Sequence, residues 1–150
     1  MNQRISLSHL RKDRTGTSFI ETALMFPVML LLCCGAMDFS RVVYAGIEVA
    51  GAARAGVQYG ALTPGHSGDT AGMAQAALND AADLGTSVTA TAANFCSCSH
   101  STVDCTTSCG LVPPDGYVSV TANYTFNTLL KYPGLPKTVA LSRTAKMRVQ

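Results

Sequence analysis

Two sets of side chains in the sequence could do chemistry: four closely spaced cysteines, and one carboxylate inside an apolar run. The four thiols can form two disulfides or, with a nearby histidine, bind a zinc ion. Zinc sites favour cysteine pairs separated by two to four residues, and C-x-C is tight for one tetrahedral metal. The spacing therefore favours two disulfides, with a zinc site or a free redox-active pair as the alternatives. The cysteines lie in CSCSHSTVDCTTSC and are Cys96, Cys98, Cys105 and Cys109.

The pairing of these cysteines can be predicted if they lie on one antiparallel hairpin. Residues that face each other across a hairpin have a nearly constant sum of their sequence numbers. The nested pairing, Cys98–Cys105 with Cys96–Cys109, gives two nearly equal sums, whereas the crossed pairing gives sums that differ more. Nested bridges are therefore the favoured pattern for a disulfide-pinned hairpin at residues 96–109.

The carboxylate is Glu21, which lies near the start of an apolar run at residues 19–37. A helix of this length spans about 28 Å, close to the hydrocarbon thickness of a bilayer. A carboxylate in the membrane costs about 2–3 kcal/mol even on the lenient insertion scale, so a partner is expected. A secretory signal peptide or a plain anchor would explain the apolar run but not Glu21. The GAMD sequence that follows the run is also a poor cleavage site for a signal peptidase.

The charges around the apolar run predict its orientation. Four basic residues against Asp13 give the first 16 residues a net charge of +3, and few charges follow the run. The positive-inside rule then places the N-terminus in the cytoplasm and the C-terminal domain across the membrane. The rest of the chain has a net charge of −1, so no nucleic-acid partner is expected.

Four sequence boxes follow one another between residues 16 and 61. They are Gly16-Thr17-Ser18-Phe19-Ile20-Glu21, ALMFP at 23–27, DFSR at 38–41 and AARAGVQYGA at 52–61. The first box, a glycine followed by four residues and a glutamate, resembles the prepilin-peptidase motif of type IV pilins. The ordered set resembles the TadE-like proteins, the pseudopilins of the Tad (Flp) pilus.

This resemblance implies cleavage after Gly16 by a prepilin peptidase, which would leave Thr17 as the mature N-terminus. It also implies a partner for Glu21, because the new α-amine of the same chain or of a neighbour can pair with the carboxylate. Pro27 is expected to kink the apolar helix. The resemblance further implies a single-pass protein of the bacterial inner membrane whose partners are other pilin or pseudopilin subunits and the Tad assembly platform.

The periodicity of the remaining sequence predicts the elements around these residues. Apolar residues at spacings of three and four continue the helix to about residue 62, and a break with Pro64 follows. A second helix, capped by Ser67, Asp69 or Thr70, is expected to end at Gly85. Alternation with a period of two predicts strands at residues 86–95, 117–130 and 139–149, with a turn at 132–137. The many small residues at 45–56 suit packing either under the chain's own domain or against other subunits.

These elements predict an α+β fold. A transmembrane helix continues into a long exported helix, which packs with a short second helix against a small antiparallel sheet, as in pilins, stapled by disulfides. The expected organisation is a basic cytoplasmic leader (1–16), a transmembrane helix (17–37), a helical extension (38–62) and an exported domain (63–150).

The predicted function is structural. The sequence has no nucleophile elbow, P-loop, HExxH or dinucleotide-binding loop, so neither catalysis nor a cofactor nor a metal is expected. The chain is expected to be a minor pilin or pseudopilin that supports assembly of a Tad-type pilus, and through it attachment, biofilm formation or secretion. One alternative is an uncleaved membrane-anchored protein with an exported interaction module. A second alternative, a membrane-tethered redox or metal protein, rests on the cysteines alone.

Overall fold

The computed structural model describes residues 15–99, 101–129 and 136–149 of the 150-residue chain. Most of the basic leader (1–16) and most of the turn expected at 132–137 lie outside these residues. The chain divides into two compact units, Met1–Phe39 and Ser40–Gln150. The elements are α1 (Thr15–Ala61), α2 (Pro64–Ser67), α3 (Thr70–Asp80), a 3-10 segment (Ala82–Ser87), β1 (Val88–Cys98), β2 (Ser101–Val103), β3 (Asp115–Asn127) and β4 (Thr138–Arg148).

The first unit contains the apolar part of α1. Its large side chains are exposed, for example Phe19 at 79% and Leu24 at 72%. A helix that is apolar all round needs an apolar surrounding. Its most apolar window has a mean hydropathy of 2.0, which makes the helix long and apolar enough to cross a membrane. Pro27 lies inside α1, and the kink expected there stays a prediction.

The second unit contains a four-stranded antiparallel sheet in the order β2-β1-β3-β4. Along β3 the alternation is the predicted one, because Val118, Val120 and Ala122 are fully buried while Ser119 and Thr121 lie on the other face. The three longer strands confirm the predicted sheet. Strand β2 is the return strand of the hairpin predicted at residues 96–109, but its bounds were not predicted, because three residues are too few to show a period.

The core of this unit forms where the end of α1 and α3 pack on one face of the sheet. Val49, Ala53 and Val57 from α1 join Met73 and Ala77 from α3, all at most 1% exposed. Glycine permits the closest approach: a Cβ atom at Gly56 would lie 2.8 Å from the backbone oxygen of Met73 and 2.9 Å from Val120 Cγ1. Small residues near the end of α1 therefore pack under the chain's own domain, one of the two roles expected for them.

The Gly56→Ala variant is expected to lower the free energy of unfolding of the second unit by about 1–3 kcal/mol. Backbone cannot move aside as a flexible side chain can, so the added methyl group overpacks the helix–sheet contact. The matched control is Gly46→Ala on the same helix, where an added Cβ meets nothing within 4 Å. Hydrogen exchange of the β3 amides in both variants measures the difference. Equal protection in the two variants would contradict the packing argument.

The second helix ends earlier than its sequence pattern predicted. Ala77, Ala81 and Leu84 keep the apolar spacing, but α3 ends at Asp80 and the chain continues as the 3-10 segment. Gly85 then takes a φ of 73°, a left-handed conformation that costs glycine little, and the chain enters β1.

The start of this helix settles which of the three expected residues caps it. Asp69 Oδ1 accepts a hydrogen bond of 2.8 Å from the backbone N–H of Gly72, and Oδ2 accepts one of 3.0 Å from the hydroxyl of Tyr59. These two hydrogen bonds, the backbone one first, hold the pKa of Asp69 below its ordinary value. Asp69 is therefore the N-cap of α3 and ties it to α1.

Candidate functional site

The residues expected to act in processing and assembly all lie on the apolar part of α1. Gly16 and Glu21 are exposed, and about 7.5 Å of helix axis separates five residues. The hydroxyl of Thr22, next to Glu21, donates a hydrogen bond of 3.0 Å to the backbone carbonyl of Ser18. Among the side chains that the structure describes, none forms a hydrogen bond or an ion pair with Glu21. In an apolar surrounding its carboxylate thus needs a partner from elsewhere.

The four cysteines of the second unit form two disulfides, as predicted. The bridges are Cys96–Cys105, with 5.0 Å between the Cα atoms, and Cys98–Cys109, with 5.5 Å. A sulfur bound in a disulfide has no thiolate to offer a metal, so these bridges occupy all four ligands that a zinc site would need. The predicted nested pairing is wrong, because the bridges are crossed.

The hairpin that contains the first two cysteines is shorter than expected. Strands β1 and β2 pair with Cys98 opposite Ser101 and Cys96 opposite Val103, so the chain reverses at Ser99. Ser99 has a φ of 46°, as tight reversals often require. The downstream cysteines therefore come after the ladder has ended, and the rule of constant sums does not apply to them.

A second reversal brings the downstream cysteines back. The backbone carbonyl of Asp104 accepts a hydrogen bond of 2.9 Å from the backbone N–H of Thr107. Its side-chain Oδ1 accepts one of 3.0 Å from the backbone N–H of Thr106. The backbone and hydroxyl hydrogen bonds of Thr106 also hold the pKa of Asp104 below its ordinary value. Cys105 lies in this turn, two residues after Val103, which pairs with Cys96, and it bonds to Cys96. Cys109 follows the turn and bonds to Cys98.

The outer face of the sheet, which faces away from the helices, carries a cluster that the sequence analysis missed. The rings of Phe95 and Tyr117 stack with centroids 5.5 Å apart, and Lys146 Nζ lies 5.5 Å from the Phe95 centroid. Arg148 pairs with Asp115 at 2.6 Å. Each of these contacts joins neighbouring or next-neighbouring strands, so the cluster stabilises the sheet. Finding it required the register of three strands.

A second missed feature is a groove of about 530 Å³ between α1 and β4. Its charged residues are Arg54 on the helix and Arg143 on the strand. Arg143 occupies the same face of β4 as Leu141 and Ala145, which border the core. A cation at a core-facing position of an alternating strand was the signal in the sequence that could have indicated this groove. The groove is lined by Val42, Val43, Gly46, Ile47, Ala50, Arg54, Leu141 and Arg143.

These observations define a class of protein: a long apolar N-terminal helix followed by a small α+β unit closed by two disulfides. Residues 16–58 match the family model described as TadE-like protein. The match begins at Gly16 and covers the first three boxes and most of the fourth, which is less than a third of the chain. It confirms the predicted resemblance: the chain is TadE-like over this segment.

Comparisons with curated proteins and with solved structures gave no match.

Proposed function

We propose that this chain is a minor pilin or pseudopilin that supports the assembly of a Tad-type pilus. The observation that carries the proposal is the TadE-like match over residues 16–58, because it starts at Gly16 and includes Glu21 and the apolar helix. A structural subunit needs a membrane helix and a packing surface rather than a catalytic centre. We therefore assign no enzymatic activity to the chain.

The proposed topology is a single pass with the N-terminus in the cytoplasm and the second unit outside the inner membrane. The basic residues before α1 support this orientation through the positive-inside rule. The two disulfides of the second unit support it independently, since disulfides persist in oxidising compartments and are rare in the cytosol.

The proposed partners follow from the chemistry of the N-terminal segment. A prepilin peptidase would cut after Gly16 and create an α-amine on Thr17. That amine would pair with the carboxylate of Glu21 in its own chain or in a neighbouring subunit. Two charges that are costly alone in lipid become tolerable together. The assembly platform would then hold the inserted subunit while it docks.

Deletion of the gene tests the proposed role. We expect the deletion strain to lose most surface pili while the other pilus proteins are still made and inserted. Expression of the chain from a plasmid should restore piliation. Full piliation of the deletion strain would refute the proposal.

Cleavage between Gly16 and Thr17 is the sharpest prediction for the mature chain. Intact-mass analysis of the membrane-extracted protein should show a chain shorter by Met1–Gly16. A strain that lacks the prepilin peptidase is the control, and it should contain the full chain. A full-length chain in the presence of an active peptidase would instead support the uncleaved anchored protein with an exported module.

A further inference from the structure

The second unit carries opposite charges on two adjacent sides of α1. One side is the groove between α1 and β4 described above, here called the basic groove. Its apolar wall is open, with Val43 at 46% and Ile47 at 65% exposure. Its two cations, Arg54 and Arg143, are exposed. An apolar groove flanked by two guanidinium groups suits an occupant that combines an apolar side chain with carboxylates.

The two cations of the groove are free to meet such an occupant. Arg143 donates to the carbonyl of its neighbour Ser142 at 3.0 Å, which leaves most of its donors unused. In the part of the chain that the structure describes, neither Arg143 nor Arg54 forms an ion pair with a carboxylate. Arg148, on the outer face of the same strand, is by contrast paired with Asp115.

The other side of α1 presents the complementary chemistry and is here called the acidic flank. Tyr44 is 52% exposed. The negative charge of Glu48, and as a smaller cause that of Asp83, raises the pKa of the Tyr44 hydroxyl, so both carboxylates lie near it. Asp80 borders the same part of α1 about two turns further on, because a Cβ at Gly51 would lie 3.1 Å from its Oδ2. The acidic flank therefore combines an exposed tyrosine ring with three carboxylates.

The two surfaces lie on adjacent parts of the circumference of α1. Each residue turns the helix by about 100°, so Val43, Ile47 and Arg54 lie within about 40° of one another. Tyr44 and Glu48 lie about 60° and 100° beyond Ile47, on the part of α1 that approaches Asp80 at the end of α3. Each patch carries charges of one sign, so contact between two copies of the same patch is disfavoured. The two complementary patches fit a head-to-tail contact between copies, which repeats in an open series unless the rotation closes a ring.

We propose that the basic groove of one copy of this chain takes the acidic flank of a second copy. Tyr44 of the second copy enters the apolar groove, and its neighbouring carboxylates meet Arg54 and Arg143. Tyrosine is enriched in interface cores, where its ring supplies contact area at low conformational cost. The inference deepens the proposed function and rests on it for its setting, since it names a second copy of the chain as the partner.

Charge reversal with rescue tests the contact in full-length chains in native membranes. The first variant reverses the groove, with Arg54→Glu and Arg143→Glu. The second reverses the flank, with Glu48→Arg and Asp83→Arg. A photoreactive side chain at Ile47 reports the contact by crosslinking. The control reverses an exposed lysine outside the groove, with Lys137→Glu.

Each reversed variant alone should lose at least about tenfold of the Ile47 crosslink between copies, because like charges then face each other. Coexpression of the two variants should restore it, since each groove again meets a flank of opposite charge. The control should crosslink as the unmodified chain does. The crosslinked peptide of the second copy should contain Tyr44 or Asp83.

Three results would overturn the proposal. One is an undiminished crosslink in the groove variant, and another is the absence of rescue in the mixture. The third is a crosslink from Ile47 only to another protein or to Ile47 of a second copy. If Arg143 served only to protect the free edge of β4 from aggregation, Arg143→Glu would keep a charge at that edge. The crosslink of the groove variant would then be undiminished, which is the first of the three results.

Piliation separates this inference from the proposed function. If deletion abolishes pili but the groove variant assembles them normally, the contact is wrong and the function stands. If the variants rescue each other but deletion leaves piliation intact, the contact stands and the function is wrong.

Discussion

The Glu21→Ala variant is expected to insert into the membrane normally and to disappear from assembled pili. Removal of a carboxylate makes the apolar helix more apolar, so insertion should if anything improve. Docking should suffer, because the α-amine of Thr17 would lie in lipid without its partner. Loss of one member of a buried ion pair costs about 3–5 kcal/mol, which is more than a hundredfold in an equilibrium.

Two conservative variants separate charge from shape in this experiment. Glu21→Gln keeps the size and the polarity but not the charge, so it should fail in assembly like the alanine variant. Glu21→Asp keeps the charge on a shorter stem and should retain part of the function. The ratio of the chain in sheared pili to the chain in membranes is the measurement. Wild-type ratios for both neutral variants would show that the carboxylate is not used in docking.

The elements with a long and regular periodicity could be predicted from the sequence. Val118, Val120 and Ala122 alternate over a strand of 13 residues, and the burial follows the alternation because one sheet face packs on the helices. The apolar part of α1 was equally clear, since the run at residues 19–37 is long and apolar enough to cross a membrane. In both cases the pattern of residues close together in sequence was sufficient to predict the element.

Features that depend on where the chain turns were not predictable in this way. The disulfide pairing depended on two reversals, at Ser99 and at Asp104, whereas the hairpin assumption contained one. Strand β2 offered only three residues. The basic groove needed the position of β4 beside α1, a contact between residues far apart in sequence. The sequence feature that indicated the groove was Arg143, a cation among the alternating apolar residues of β4.

Removal of the two disulfides is expected to have the largest effect on the stability of the second unit. Both bridges close short loops, with sequence separations of 9 and 11, so each should stabilise by roughly 2–3 kcal/mol in the chain-entropy model. Small domains with thin cores depend on such crosslinks. Cys96 is 7% exposed and pairs with both neighbouring strands, whereas Cys98 is the last residue of β1 and pairs with β2 alone.

Replacement of Cys96 and Cys105 by serine should therefore destabilise the unit more than replacement of Cys98 and Cys109. Both variants should lose hydrogen-exchange protection in β2 and in the following loop, while the apolar part of α1 stays inserted. The matched control replaces Cys33 and Cys34, which are free thiols of the apolar run, and should leave the protection unchanged. Non-reducing peptide mapping of the unmodified chain should find Cys96 linked to Cys105 and Cys98 linked to Cys109. Nested peptides would contradict the pairing, and four free thiols with about one equivalent of zinc would restore the metal site.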